Sequence, residues 1–437
     1  MEYGCIHFDD VNAHASGWAA VAGDDAVRVS GTANLGTDAV WLTNLEYDLM
    51  YQSGLQNNVR FRRQDFLRIK VGSLLDHLGI PAEDPKKRVE AASIIFSRIM
   101  RLASAMGGID RAPPQTLPDG LRERAFPPDE VYPDEMIRVF EAATSYFTTC
   151  EASQIEGDLM TFWLPQITLA RKILRFPMPT GQWRRFGRRD IPGDPKSLEK
   201  WHRDPANRDR LMLVRADLKN FDRDLNPLLN FGSMPMNASS GRGWITSYEL
   251  MRLYGCAEVR VREGYVCESA EPNEYLRDQA LRLSPEYEAS ITTSIYAENL
   301  WTAASKSLRP RVAKNRNTFN PWAPFVRALD RMACLPAAEK LQEAGLGVVS
   351  YGVGRVYAKV PQGMTDADVV GAANYAGLIP PMMGMPKDFR IRNRFERPPG
   401  DEDYSDRLHI VQNLYACGRY AEMMQADRKV VEGLSNV

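Results

Sequence analysis

Apolar positions come in short runs over the first 70 residues, separated by polar, turn-forming residues. Short runs at residues 4–8, 18–23, 26–31 and 39–42, each bounded by turn residues, predict strands, with two more at 59–62 and 66–71. The stretches 22–25 and 32–37 supply the turns between them. The period then becomes helical, weakly over 73–78 and strongly over 85–106. In the latter, Val89, Ala92, Ile95, Ile99 and Leu102 mark one face, and Pro85 suits the first turn. A Pro-rich connector spans 107–130, helices are predicted at 134–149 and 161–174, and 176–209 reads as an irregular, exposed bridge.

A second body begins at 211, where LMLVRADLK reads as a buried strand with an aspartate near its end. A short helix at 247–254, a pair of strands over 257–267, a helical stretch at 275–300 and a long amphipathic helix at 322–344 follow. Residues 346–360, LGVVSYGVGRVYAKV, read as strand, tight turn, strand. A helix near 365–376, a short strand near 389–394 and a helical tail over 405–434 complete the pattern. This order predicts an α+β protein with a mixed-sheet domain at 1–150, a helix and basic linker at 151–210, and a second body with a helical tail at 211–437.

Composition narrows the class. At 437 residues, two domains or one bilobal body are expected, and 44 % hydrophobic with 25 % charged residues is an ordinary globular balance. No run approaches the roughly 18 consecutive apolar residues of a membrane span, and the opening MEYGCIHFDDVN shows no secretory signal. Six scattered cysteines without a Cys-x-x-Cys pair predict free thiols in a reducing compartment such as the cytoplasm, and argue against zinc. The five histidines form no cluster.

The net charge of −1 gives no global reason to expect nucleic acid, but the charge is uneven. Arg184, Arg185, Arg188 and Arg189 sit in a basic stretch with Trp183, Phe186 and Trp201 interleaved, and Lys306, Arg309, Arg311 and Lys314 form a second group. Cations interleaved with aromatics suit phosphates and stacked bases. The competing reading is a solvated, salt-bridged surface.

In the 346–360 hairpin, Tyr351 and Gly352 precede a turn of Val353, Gly354 and Arg355, and Val356, Tyr357 and Lys359 follow it. This resembles the third palm motif of family B DNA polymerases, Tyr-Gly-Asp-Thr-Asp-Ser followed by a Val-Tyr-like pair, with the metal-binding aspartates replaced and the turn one residue shorter. Further matches fall in the family's order. Thr43-Asn44-Leu45-Glu46-Tyr47-Asp48 resembles the second exonuclease motif, with Asp48 as a metal ligand and Asn44 positioning the substrate end. Asp10, followed by Asn12 where a glutamate is usual, resembles the first, and Tyr132-Pro133-Asp134 is nearest to the third. The second and third also have local explanations, as turn or helix cap. Asp217 resembles the first palm aspartate, although the Ser-Leu-Tyr that should follow is absent.

Gly243-Trp244-Ile245-Thr246-Ser247-Tyr248-Glu249-Leu250 is similar to a segment of protein-primed and plasmid-type members, and equally to a capped helix start. Asp217-x4-Asp222 and Ser240-Gly241-x4-Thr246 also resemble two palm motifs of viral RNA-dependent RNA polymerases, but the interval is too short and no Gly-Asp-Asp follows.

The family resemblance implies a ribonuclease-H-like exonuclease-type domain followed by a polymerase-like palm with helical additions. If active, such a chain uses Mg²⁺ or Mn²⁺ held by carboxylates, Asp217 in the palm and Asp10, Asp48 and Asp134 in the exonuclease. With Val353, Gly354 and Arg355 in the turn, the palm lacks its second set. The expectation is a degenerate polymerase-like protein that binds DNA or RNA and acts in replication or in a viral or plasmid-like element, with replication or virion proteins as partners and no membrane. The rival expectations are an active divergent polymerase or 3′–5′ exonuclease, and a viral shell or scaffold protein.

Overall fold

The computed structural model describes residues 2–379, apart from 11–14, 69, 73–74, 76–79, 127–129, 145–147, 150–156, 209, 220–239, 286–289 and 307–317. The strand expected at 389–394 and the helical tail at 405–434 lie outside the described residues.

The N-terminal strands are β1 (Glu2–Phe8), β2 (Gly17–Val21), β3 (Val27–Val29), β4 (Ala39–Thr43) and β5 (Phe61–Arg62), with helix α1 (Tyr47–Gln52) between the last two. They form one sheet in the order β3-β2-β1-β4-β5. β4 lies parallel to both β1 and β5, while β2 is antiparallel to β1 and β3, so β2 alone runs against the other four. Alternation along β1 divides the core: Tyr3 and Cys5 face one cluster, Ile6 and Phe8 the other. Gly4 is a close approach, since a Cβ there would lie 2.6 Å from the Trp41 ring. Helix α2 (Pro85–Gly107) covers the Tyr3 side, where Phe96 meets Tyr3 and Phe66 edge to face. Its ends follow the expected signals, Asp84 accepting from the Lys87 amide at the start and Gly108 in the left-handed region at the stop. Among the described residues of 66–71, the expected strand does not form. Residues 63–68 turn instead, with the Arg68 amide donating to the Asp65 carbonyl and Arg68 itself at φ 66°.

The chain continues through α3 (Leu117–Ala125), β6 (Glu130–Val131), α4 (Asp134–Ala143), β7 (Thr148–Thr149), β8 (Gly157–Trp163), α5 (Gln166–Leu174), β9 (Met178–Pro179), β10 (Trp183–Gly187) and α6 (Pro195–Arg203). It then forms β11 (Met212–Lys219), β12 (Ser240–Thr246), α7 (Ser247–Leu253), β13 (Glu258–Cys267), β14 (Ala270–Glu271), α8 (Glu274–Arg282) and α9 (Ile291–Ala304). Last come β15 (Thr318–Phe319), α10 (Ala323–Glu343), the hairpin β16 (Gly347–Gly352) and β17 (Arg355–Pro361), and α11 (Asp366–Ala376). Two antiparallel four-stranded sheets result, β10-β13-β11-β12 and β7-β16-β17-β8. Helix α9 is buried almost throughout and packs on α2, α3 and α5, joining the first sheet's cover to the rest. The architecture is mixed α+β.

Three expected elements come out differently. Residues 161–174 are not one helix: β8 runs to Trp163 and Pro165 starts α5. The apolar positions here fit both periods, and pairing with β17 selects the strand. Within the expected irregular bridge, β10 joins a sheet and α6 is a regular helix capped by Asp194. Residues 257–267 form a single strand, β13, paired on both sides with strands distant in sequence, β10 and β11. The expected boundary at residue 150 falls between β7 and β8, two strands of the same sheet.

Candidate functional site

The hairpin turn is built from Val353 and Gly354, at φ 54° and 67°, between the registered pair Gly352 and Arg355. Left-handed backbone at both central residues suits Asn-Gly or Gly-Gly, and a β-branched valine is strained there. Asp330, fully buried on α10, holds the turn by accepting from the amides of Val353 and Gly354, the latter at 2.7 Å. Burial pushes the Asp330 carboxyl above its usual range, against the opposing pull of Arg327 and the two amides.

Arg355 opens β17 and is registered with Trp163, the last residue of β8. Its guanidinium lies 3.7 Å from the centre of the Trp163 ring and its Nη2 3.2 Å from Glu298 Oε1 on α9. Gln166, at the start of α5, donates to the Leu164 carbonyl at 2.9 Å and accepts from Trp301 Nε1 at 3.1 Å. The Leu164 amide donates to the Gly354 carbonyl at 2.9 Å. The turn is thereby tied to β8, α5, α9 and α10.

A pair of divalent ions needs several carboxylates converging on one point, and the family resemblance would place them on the facing strands of this hairpin and its neighbour. At this turn the facing positions hold Arg355 and Trp163, beside Val353 and Gly354. The nearby carboxylates are engaged: Glu298 pairs with Arg355, and Asp330 holds the turn amides. These residues do not fit a two-metal centre, and the guanidinium would repel a divalent ion directly. The acidic residue of β8, Asp158, is registered with Val360, at the end of the hairpin remote from the turn.

Asp217 lies in the other sheet, on β11, and is not brought to the hairpin by strand pairing. The β11–β13 register shifts between Arg215 and Ala216, leaving Arg262 as the extra residue of a bulge. A bulge re-aims its side chain, and Arg262 here forms a close ion pair with the buried Asp217. The expected palm aspartate therefore faces a fixed cation. The signal for it was absent from the sequence, because a bulge depends on the pairing of two distant strands.

In the N-terminal sheet, Asp10 follows β1 and Asn44 follows β4, its parallel neighbour. The Asn44 side chain accepts from the Phe8 amide and donates to the Phe8 carbonyl, both at 3.0 Å, locking the two strand ends together. Asp48 sits in the first turn of α1. Asp10, Asn44 and Asp48 are thus gathered at the carboxyl ends of adjacent parallel strands. Asp134 is not among them, because α4 packs against β11, β12 and α10. Asn12 lies outside the described residues. Among the described residues, no group of three or more His, Cys, Asp or Glu side chains is placed to hold a metal.

The basic groups divide. Lys306 is committed to Asp119, 3.1 Å away, and to the Thr116 hydroxyl at 3.2 Å, and burial lowers its pKa. Arg309, Arg311 and Lys314 lie outside the described residues. Arg185 bridges Glu135 of α4 and Glu263 of β13 at 3.3 and 2.8 Å. Arg184, Arg188 and Arg189 are exposed on β10 and the turn after it. No helix among the described residues is long and apolar enough to cross a membrane.

No protein-family model and no curated protein matches the chain. Among solved structures it is similar to Phi29 DNA polymerase complexed with single-stranded DNA, at TM-score 0.47 and 11 % identity over 84 % of this chain and 82 % of that one. The orthorhombic crystal form of Phi29 DNA polymerase gives 0.46 and 10 % over the same shares. The ternary complex with primer-template DNA and incoming nucleotide gives 0.44 and 9 %, again over 84 % and 82 %. A likeness at this level is too distant to assign an activity.

Proposed function

We propose that this chain is a polymerase-like protein that has lost two-metal nucleotidyl transfer and acts by binding nucleic acid. One observation carries the reading: at the hairpin turn, where facing strands would have to present carboxylates, Arg355 stacks on Trp163 and pairs with Glu298. The motif matches around this turn supply the polymerase part of the reading. A labelled primer–template incubated with Mg²⁺ or Mn²⁺ and all four deoxynucleotides tests it: no extension is expected, and extension overturns it.

A second reading has its own observation. Asp10, Asn44 and Asp48 share the carboxyl ends of two parallel strands, in a sheet ordered β3-β2-β1-β4-β5 with only β2 reversed. That order supports a ribonuclease-H-like domain, and the residues would suit a 3′–5′ exonuclease with a reduced metal set. Metal-dependent shortening of the same primer, abolished by Asp48→Ala, is the result that favours it.

A further inference from the structure

The face of the β10-β13-β11-β12 sheet that carries Arg215 has two adjoining hollows of about 480 and 420 Å³, which share Arg185 and Glu263. The smaller lies between the sheet and α4, with Trp244 and Arg215 on its floor, registered neighbours on β12 and β11, and Arg138 on its α4 wall. The larger runs from Arg185 to Arg188 in the turn after β10, with the bulge residue Arg262 on its side. Arg138 and Arg188 are exposed, and neither forms an ion pair among the described residues. Trp244 is partly buried, tilted against Tyr265 at a ring separation of 6.1 Å.

We infer that this groove binds a single-stranded polynucleotide, with a base over Trp244 and successive phosphates at Arg138, Arg215, Arg185 and Arg188. The inference rests on the nucleic-acid-binding reading above and gives it a location. Each hollow suits a unit of roughly nucleotide size, and arginines lining a path past an aromatic ring make a strand-tracking surface. A base can lie on Trp244 only when unpaired, which selects single strands over duplex. The carboxylates set the strength. Glu263 accepts from both Arg185 and Arg215, at 2.8 and 3.3 Å, so it holds the two guanidiniums in place while competing with phosphate for them. Glu135 also pairs with Arg185 at 3.3 Å, and Asp134 and Asp190 line the hollows, so binding is moderate; Glu263, which touches two of the four arginines, has the largest hold on it.

The test measures anisotropy of labelled oligo(dT) and oligo(U) against the full chain over a range of salt. Trp244→Ala should weaken binding about ten-fold, with Trp244→Phe recovering most of it. Arg188→Gln should lower the salt slope by about one, and Glu263→Gln should tighten binding. Preference for one oligonucleotide identifies DNA or RNA as the strand bound, and equal binding means that the sugar is not read; both support the groove. Wild-type binding unchanged by Trp244→Ala, Arg188→Gln and Glu263→Gln, in variants with unaltered melting temperature, overturns the groove and leaves the general reading intact. No binding by the wild type overturns both. Because Trp244→Ala could disturb folding, photo-crosslinking of 5-iodouracil oligonucleotide to the wild type provides a second measure, and crosslinks that avoid Trp244 contradict the proposal.

Discussion

Glu249 and Arg331 form a close ion pair in which neither side chain reaches solvent. Glu249 also completes the capping box of α7, accepting from the Thr246 amide at 2.9 Å while Thr246 Oγ1 accepts from the Glu249 amide. One carboxylate thus caps a helix and joins it to α10, the helix whose Asp330 holds the hairpin turn one residue earlier in the chain. The Thr-Ser-x-Glu-Leu segment therefore has a structural explanation that needs no ligand.

Removing one partner of a buried pair strands the other charge. Arg331→Met is expected to lower stability by about 3–5 kcal/mol, read as a shift in the urea midpoint. Adding Glu249→Gln should recover part of the loss, whereas a double variant whose loss equals the sum of the two single losses would mean the pair is not coupled.

The same logic applies to Arg355. Glu298 is 4 % exposed and Arg355 is its partner at 3.2 Å. Arg355→Ala should cost about 3 kcal/mol or more, with no gain of primer extension. A neutral effect on stability would show that the residues at the turn do not lock the sheet to α9.

His202 supplies a pH dependence. It is fully buried, with Nδ1 3.2 Å from the Tyr254 hydroxyl and no hydrogen-bond partner at Nε2 among the described residues. Burial, reinforced by Arg203, lowers its pKa from 6.5 to about 4. The folded state thus keeps the ring neutral where the unfolded chain protonates it. Its contribution is fully present above the unfolded value, is lost as pH falls from 6.5 toward 4, and amounts to about 3 kcal/mol by pH 4. Urea midpoints across that window should fall less steeply in His202→Gln; parallel curves would contradict the assignment.

Local signals carried much of the fold. Short apolar runs between turn residues marked β1 to β4, and α2 was legible from Pro85 through its apolar face. The hairpin was legible because its two strands and turn are contiguous. Partnership between distant segments was not. Nothing near Trp163 announces that it will face Arg355, and the apolar spacing around it also fits a helix. Asp217 near a strand end reads as a metal ligand in sequence, while its ion pair with Arg262 arises from the β11–β13 register, which the sequence does not show. The ends of β1 and β4 were partly legible, since Asn44 and Asp48 lie together in sequence and Asp10 follows the first strand. Asp134 was drawn to that site by order along the chain, while its helix packs elsewhere.

The most direct measurement is single-turnover primer extension, with protein in excess over a labelled primer–template and Mg²⁺ or Mn²⁺ with all four deoxynucleotides supplied, resolved to single nucleotides. With Arg355 on Trp163 at the turn, no primer should lengthen by even one residue. Reproducible addition of one or more nucleotides, lost on heat denaturation and absent from a mock preparation, would contradict that expectation.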